Sequence, residues 1–192
     1  MLSLPASNAL TTNYRPLLDW SNSTVPVGTI FDHYEVQVDD DADFPNAEID
    51  HVVAAPVTNS SYIPDTDLAA NTKFYWRVRA YNTLGQYGSW SLVRYFRTAI
   101  TPPAMISPLN GASTSVKRPV FDWDDPAGAT GYTIQISRNN TITSLVGTYN
   151  VTLSTYTPAA NLPVGTYYWR VQARGPNGPS LWCTGRSIII TP

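Results

Sequence analysis

The chain has 192 residues with twelve basic and fourteen acidic side chains, a formal charge of −2, and only 14% charged residues against 43% hydrophobic and 12% aromatic. This balance excludes a basic nucleic-acid-binding surface, and no apolar run reaches the roughly eighteen residues that a membrane helix needs. The single cysteine, Cys183, rules out an internal disulfide framework, and the N-terminus lacks the basic and long apolar regions of a secretory signal.

In chain order, alternating apolar residues and turn signals predict strands near 14–21, 31–39, 48–53, 58–63, 73–82 and 92–98. A short opening strand is expected before them. Pro26-Val27-Gly28 and Pro45-Asn46 mark turns. Thr101-Pro102-Pro103 then stops the pattern, and the same series restarts. Its strands are expected near 117–124, 130–138, 143–149, 152–157, 166–174 and 184–190, again after a short opener.

The restart repeats particular residues. Arg15-Pro16-Leu17-Leu18-Asp19-Trp20 returns as Arg118-Pro119-Val120-Phe121-Asp122-Trp123, and Tyr34-Glu35-Val36-Gln37-Val38 returns as Tyr132-Thr133-Ile134-Gln135-Ile136. Tyr75-Trp76-Arg77-Val78-Arg79-Ala80 returns as Tyr168-Trp169-Arg170-Val171-Gln172-Ala173. The offsets are 103, 98 and 93 residues, so the segments persist while their spacing drifts. That is the mark of packed strands joined by variable turns. The six tryptophans also divide three and three. Two domains follow, residues 1–102 and 103–192. Each is an all-β sandwich of about seven strands with its own aromatic centre.

Period-two alternation assigns the faces. On the sixth strand Phe74, Trp76, Val78 and Ala80 point inward, and Tyr75, Arg77, Arg79 and Tyr81 point outward. On the third, Tyr34, Val36 and Val38 point inward. The outward Glu35 and Asp39 are expected to face Arg77 and Arg79 on the neighbouring strand.

These segments resemble the fibronectin type III superfamily, whose sandwiches are immunoglobulin-like. The resemblance rests on a second-strand Trp (Trp20, Trp123) and on a Leu followed by a Thr-x-Tyr segment entering the sixth strand. Here that segment is Leu68, Thr72 and Phe74, then Leu162, Thr166 and Tyr168. It rests also on the alternating Val-Arg-Ala stretch and the Gly-rich turn from Gly85 to Ser91. The wording is similar to tandem repeats of large bacterial surface and secreted proteins. The resemblance implies an extracellular or cell-surface location, spacing, adhesion and assembly, and no catalysis. The Arg-Gly-Asp tripeptide of some members is absent.

Four groups of residues carry candidate chemistry. Asp39, Asp41, Asp43 and Asp50 have the relative spacing of a calcium loop, although Phe44 stands where that loop needs Gly; calcium is the one cofactor the sequence suggests. Trp90 is placed to stack on Arg77 or Arg79, and Trp182 on Arg170 or Arg174. The other reading of these tryptophans is an exposed platform for glycan rings. Cys183 is expected to be a buried structural thiol or a site of intermolecular disulfide formation. Asn-x-Ser/Thr sites at Asn22, Asn59, Asn139 and Asn150 matter only in a glycosylating host.

Enzyme chemistry finds no support. His33 and His51 are the only histidines, and zinc, phosphate-loop and nucleophile-elbow patterns are absent. The halves differ in charge. Residues 1–100 carry 11 acids and 6 bases, residues 101–192 carry 3 and 6, and both chain ends match repeat boundaries. The expected function is a non-catalytic structural or adhesive tandem module. Head-to-tail self-assembly into a fibre and a carbohydrate-binding accessory to a secreted hydrolase remain as alternatives.

Overall fold

Alternation becomes seventeen short strands and no helix in the computed structural model, which describes residues 1–192. The chain divides into two compact units, Met1–Thr98 and Ala99–Pro192.

The first unit contains β1 (Leu2–Leu4), β2 (Ala9–Thr11), β3 (Leu18–Trp20), β4 (Phe31–Asp39), β5 (Ile49–Ala54), β6 (Ser61–Tyr62), β7 (Lys73–Asn82) and β8 (Arg94–Thr98). The order β1-β3-β6 forms one sheet and β2-β8-β7-β4-β5 the other. The opening strand expected as one piece is two. β1 pairs antiparallel with β3, and β2 then pairs parallel with β8 in the opposite sheet. Pro5 lies between them and has no N–H to continue a ladder, so the chain changes sheets there. Between β3 and β4 the turn at Pro26 closes with a bond from the Thr29 N–H to the Pro26 carbonyl, 3.1 Å. Gly28 supplies the φ of +84° that this turn requires.

Inward residues of both sheets meet in one core. Leu18, Tyr34, Val36, Val38, Phe74, Trp76 and Phe96 are almost fully buried there. Trp20 meets Tyr34 edge-on at 5.3 Å and Trp76 at 6.5 Å. Each such side chain contributes about 1.5–3 kcal/mol by leaving water.

The second unit repeats the plan. Its strands are β9 (Met105–Ser107), β10 (Ala112–Thr114), β11 (Phe121–Trp123), β12 (Gly131–Ser137), β13 (Leu145–Val151), β14 (Thr155–Tyr156), β15 (Gly165–Gly175), β16 (Gly178–Pro179) and β17 (Arg186–Ile190). The sheets are β14-β11-β9 and β10-β17-β15-β12-β13, with β16 folded back on β15. A separate core gathers Phe121, Trp123, Tyr132, Ile134, Tyr167, Trp169 and Ile188.

The turn entering the sixth strand is fastened differently in the two units. In the second, the tyrosine that bonds back to the backbone is Tyr167, whose hydroxyl donates to the Pro163 carbonyl at 2.8 Å. Tyr168, the residue expected from the family pattern, lies on the other face of β15 and pairs across to Ser137. Its neighbour takes the role because the alternation places Tyr167 inside with Trp169. In the first unit Phe74 has no hydroxyl, and Thr98 replaces the fastening. Its Oγ1 donates to the Ala69 carbonyl at 2.6 Å and accepts from the Thr72 N–H at 2.9 Å.

Candidate functional site

β4 and β7 run antiparallel in a register that sets Glu35 opposite Arg79, Gln37 opposite Arg77 and Asp39 opposite Tyr75. The register decides the outward contacts. Arg79 Nε donates to Glu35 Oε2 at 2.6 Å, and the Tyr81 hydroxyl donates to the same oxygen at 2.7 Å. Arg77 gives two N–H bonds to Gln37 Oε1, at 2.9 and 2.7 Å. One of the two expected charge pairs therefore forms. Arg77 pairs with an amide because Asp39 lies one register step away, opposite Tyr75.

After β7 the chain turns at Leu84-Gly85 and comes back along the same strand. The Gly88 N–H reaches the Ala80 carbonyl at 3.0 Å and the Ser91 N–H reaches the Val78 carbonyl at 2.9 Å. That return lays Trp90 across the outward arginines, with its ring 4.4 Å from the Arg77 guanidinium and 4.3 Å from that of Arg79. Phe44 covers the other side of Arg77 at 4.1 Å, and Tyr87 covers Arg79 at 4.4 Å. The result is a ladder, Phe44–Arg77–Trp90–Arg79–Tyr87, in which each guanidinium lies between two rings. Burial pushes the Glu35 carboxyl up, but the bonds from Arg79 and Tyr81 outweigh it and hold it below the usual glutamate value.

The second unit keeps one rung. Arg170 stacks on Trp182 at 4.4 Å and donates to Gln135 Oε1 at 2.9 Å. Arg174 takes no part and reaches the Val151 carbonyl at 3.4 Å. The aromatic residues that extend the first ladder, Phe44 and Tyr87, have no aromatic counterparts here.

The four aspartates are not drawn together, and nowhere do three or more acidic, histidine or cysteine side chains converge as a metal site requires. Their spacing reflects a chain of turns. Asp39 Oδ1 accepts from the Asp41 N–H at 3.0 Å, and Asp41 Oδ1 accepts from the Asp43 N–H at 2.9 Å. These turns bring Phe44, at φ 55°, onto Arg77. Asp50 lies on β5 and accepts from Gln37 at 3.1 Å.

His33 Nδ1 lies 2.7 Å from Asp32 Oδ2, and both histidine rings are stacked. His33 stacks on Tyr81 at 4.4 Å and His51 on Tyr62 at 4.1 Å. Cys183 is half-buried just before β17, and its Sγ accepts the Val171 N–H at 3.1 Å. Burial raises its pKa above the ordinary thiol value.

Beside the ladder, at the end of the first sandwich where β7 finishes, lies a cleft of about 670 Å³. Its walls are the loop from Ser21 to Thr29, Phe31 at the start of β4, and the return from Asn82 to Ser91. The Tyr34 hydroxyl ties its base, accepting from the Ser23 N–H at 2.8 Å and donating to the Val57 carbonyl at 2.9 Å. The sequence carried two signals for this cleft. The loop between Trp20 and Tyr34 is five residues longer than the one between Trp123 and Tyr132. The second is Gly88, two residues before Trp90, where the other repeat has Ser180 two residues before Trp182.

Comparison with known proteins gives the same architecture. A family model described as Rha78A-like, N-terminal immunoglobulin domain matches residues 6–102. A two-domain fibronectin type III segment of chicken tenascin is similar at TM-score 0.55 and 13% identity, covering 98% of this chain and 97% of that one. The FN1–FN3 domains of chicken CNTN1 align at TM-score 0.41 and 17% identity over 99% of this chain, which spans 65% of that segment. No curated protein sequence matches. The fold is a tandem of fibronectin type III-like, immunoglobulin-like sandwiches.

Proposed function

The chain belongs to the family of Rha78A-like, N-terminal immunoglobulin domains, and from that premise we propose that it is a non-catalytic, extracellular structural and adhesive module, a spacer or building block of a larger surface or secreted assembly. The observation that carries this reading is the pair of self-contained cores. Each sandwich closes around its own tryptophans, so the chain supplies two stiff blocks in series. The reactive side chains are committed to structure. Glu35, Arg77 and Arg79 belong to the ladder, and the histidines to stacked pairs.

One observation favours self-assembly as a second reading. β13 is an outer strand of its sheet. The chain from Asn139 to Trp169, which includes it, holds no acidic, basic or histidine residue. Leu145 and Val146 on it are 48% and 40% exposed. An uncharged, proline-free edge lacks the usual protection against pairing with another strand. Electron microscopy of the purified chain separates the readings. Discrete particles support a spacer, and regular fibres that a Thr148→Lys substitution abolishes support assembly. Surface labelling of intact source cells tests the location, and a protein protected from the label contradicts it.

A further inference from the structure

The cleft of the first sandwich has core residues Trp20, Tyr34 and Val78 among its lining, and its polar rim has a definite chemistry. Tyr87 is 63% exposed, yet its ring is not loose. One face rests on the Arg79 guanidinium at 4.4 Å, and the Tyr81 ring stands 5.3 Å away. The stack holds a phenol face toward solvent at the cleft wall. Next to it, Asn82 organises the hairpin. Its Oδ1 accepts the N–H groups of Leu84 and Gln86, both at 3.0 Å, and its Nδ2 donates to Gln86 Oε1 at 2.9 Å. The Gln86 carboxamide is thereby fixed with its own N–H donors unused. Opposite, the hydroxyls of Ser21, Ser23 and Thr24 make no bond within the protein.

We infer that this cleft binds a neutral saccharide. A volume of about 670 Å³ lies within the range of roughly 300–1,000 Å³ typical of small-ligand sites. A sugar ring offers a C–H face to a fixed aromatic ring and hydroxyls to carboxamide and hydroxyl partners, which is the set present here. Other occupants fit the lining less well. An anion fits poorly, because Arg79, the one cationic side chain of the lining, already donates to Glu35 at 2.6 Å. An added peptide strand needs unpaired backbone, and along this wall the N–H groups of Asn82, Thr83, Gly88 and Ser91 are all spent within the sandwich.

In the second sandwich a side chain occupies the place that Gly88 leaves open. Ser180 is 2% exposed there, and its hydroxyl accepts the Ala173 N–H at 3.0 Å and donates to the Leu181 carbonyl at 2.6 Å. Gly88 leaves that space open, since a Cβ on it would meet nothing within 4 Å. The site is therefore placed in the first sandwich, where this position is open. The glycan platform expected at Trp90 moves to Tyr87, because two arginines already stack on the Trp90 ring.

The test is an NMR titration of the full ¹⁵N-labelled chain with the methyl glycosides of glucose, galactose, mannose and N-acetylglucosamine. At least one should give saturable amide shifts confined to residues 21–31 and 79–91. Tyr87→Ala should weaken binding about tenfold or more, equal to at least ~1.4 kcal/mol, and Gly88→Leu should block it with every ladder residue in place. Leu84→Ala, on the same hairpin outside the cleft lining, should leave binding unchanged. No saturable shift from any of the four sugars, shifts elsewhere, or binding that survives both cleft substitutions would overturn the inference. A proline-rich peptide that moves these amides when the sugars do not would overturn it as well.

Discussion

Ser91 and Cys183 do the same work in the two sandwiches. Ser91 Oγ accepts the Val78 N–H at 3.1 Å, and Cys183 Sγ accepts the Val171 N–H at the same distance. The first sandwich thus demonstrates that a hydroxyl fits where the second has a thiol. Cys183→Ser should shift stability by less than about 1 kcal/mol in a denaturant titration, since the bond it replaces is worth only about that much. A larger loss would mean that sulfur packing is required there. Glu35 gives a prediction in pH. Its folded carboxyl binds a proton less tightly than an unfolded one. Its stabilising effect is therefore complete above the ordinary glutamate value of 4.5 and disappears as pH falls through its lower folded value. The melting-temperature gap between wild type and Glu35→Gln should be open at pH 7 and close in acid. A gap that does not change with pH would show that the ion pair is not its source.

At the scale of elements, alternation fixed the faces of the long strands, and the expected boundaries of β4 and β7 match the structure. Three features were not legible, each for a physical reason. The sheet change between β1 and β2 depends on a donor missing at Pro5, which pattern alone reads as one opening strand. Tyr167 and Tyr168 are adjacent tyrosines, and only inside-outside placement distinguishes the one that fastens the turn. The calcium-like spacing of Asp39, Asp41 and Asp43 is also the spacing of consecutive side-chain-to-backbone turns, and side-chain direction decides between them. The arginine–tryptophan stacking was visible because Trp90 and Trp182 occupy matching places beyond alternating outward arginines. The contributions of Phe44 and Tyr87 come from loops that alternation does not describe. Two substitutions weigh these fastenings. Tyr167→Phe should cost about 0.5–1.5 kcal/mol, read from the unfolding of the second sandwich. Trp90→Ala should cost about 2–3 kcal/mol in the first, combining lost ring burial with two guanidinium contacts. If Trp90→Ala left stability unchanged, the ladder would be ornament on an already complete sandwich.

At the scale of the whole molecule, the two units meet similar demands by different means. The first spends its outward face on charge and aromatic stacking. The second has an uncharged edge at β13 and fewer rungs, and Ser180 fills the position that Gly88 leaves open. A shared plan with divergent surfaces suits a module in which folding is duplicated and recognition is confined to one copy. The central claim is that each sandwich is sealed around its own tryptophans and needs nothing from the other to fold. Separate expression of residues 1–98 and 99–192, with proton–nitrogen NMR spectra and thermal melts of each, tests it most directly. The account predicts two well-dispersed spectra and two cooperative transitions, with most peaks of each half superimposing on the full chain; a half that gives the narrow spectrum of an unfolded chain would contradict it.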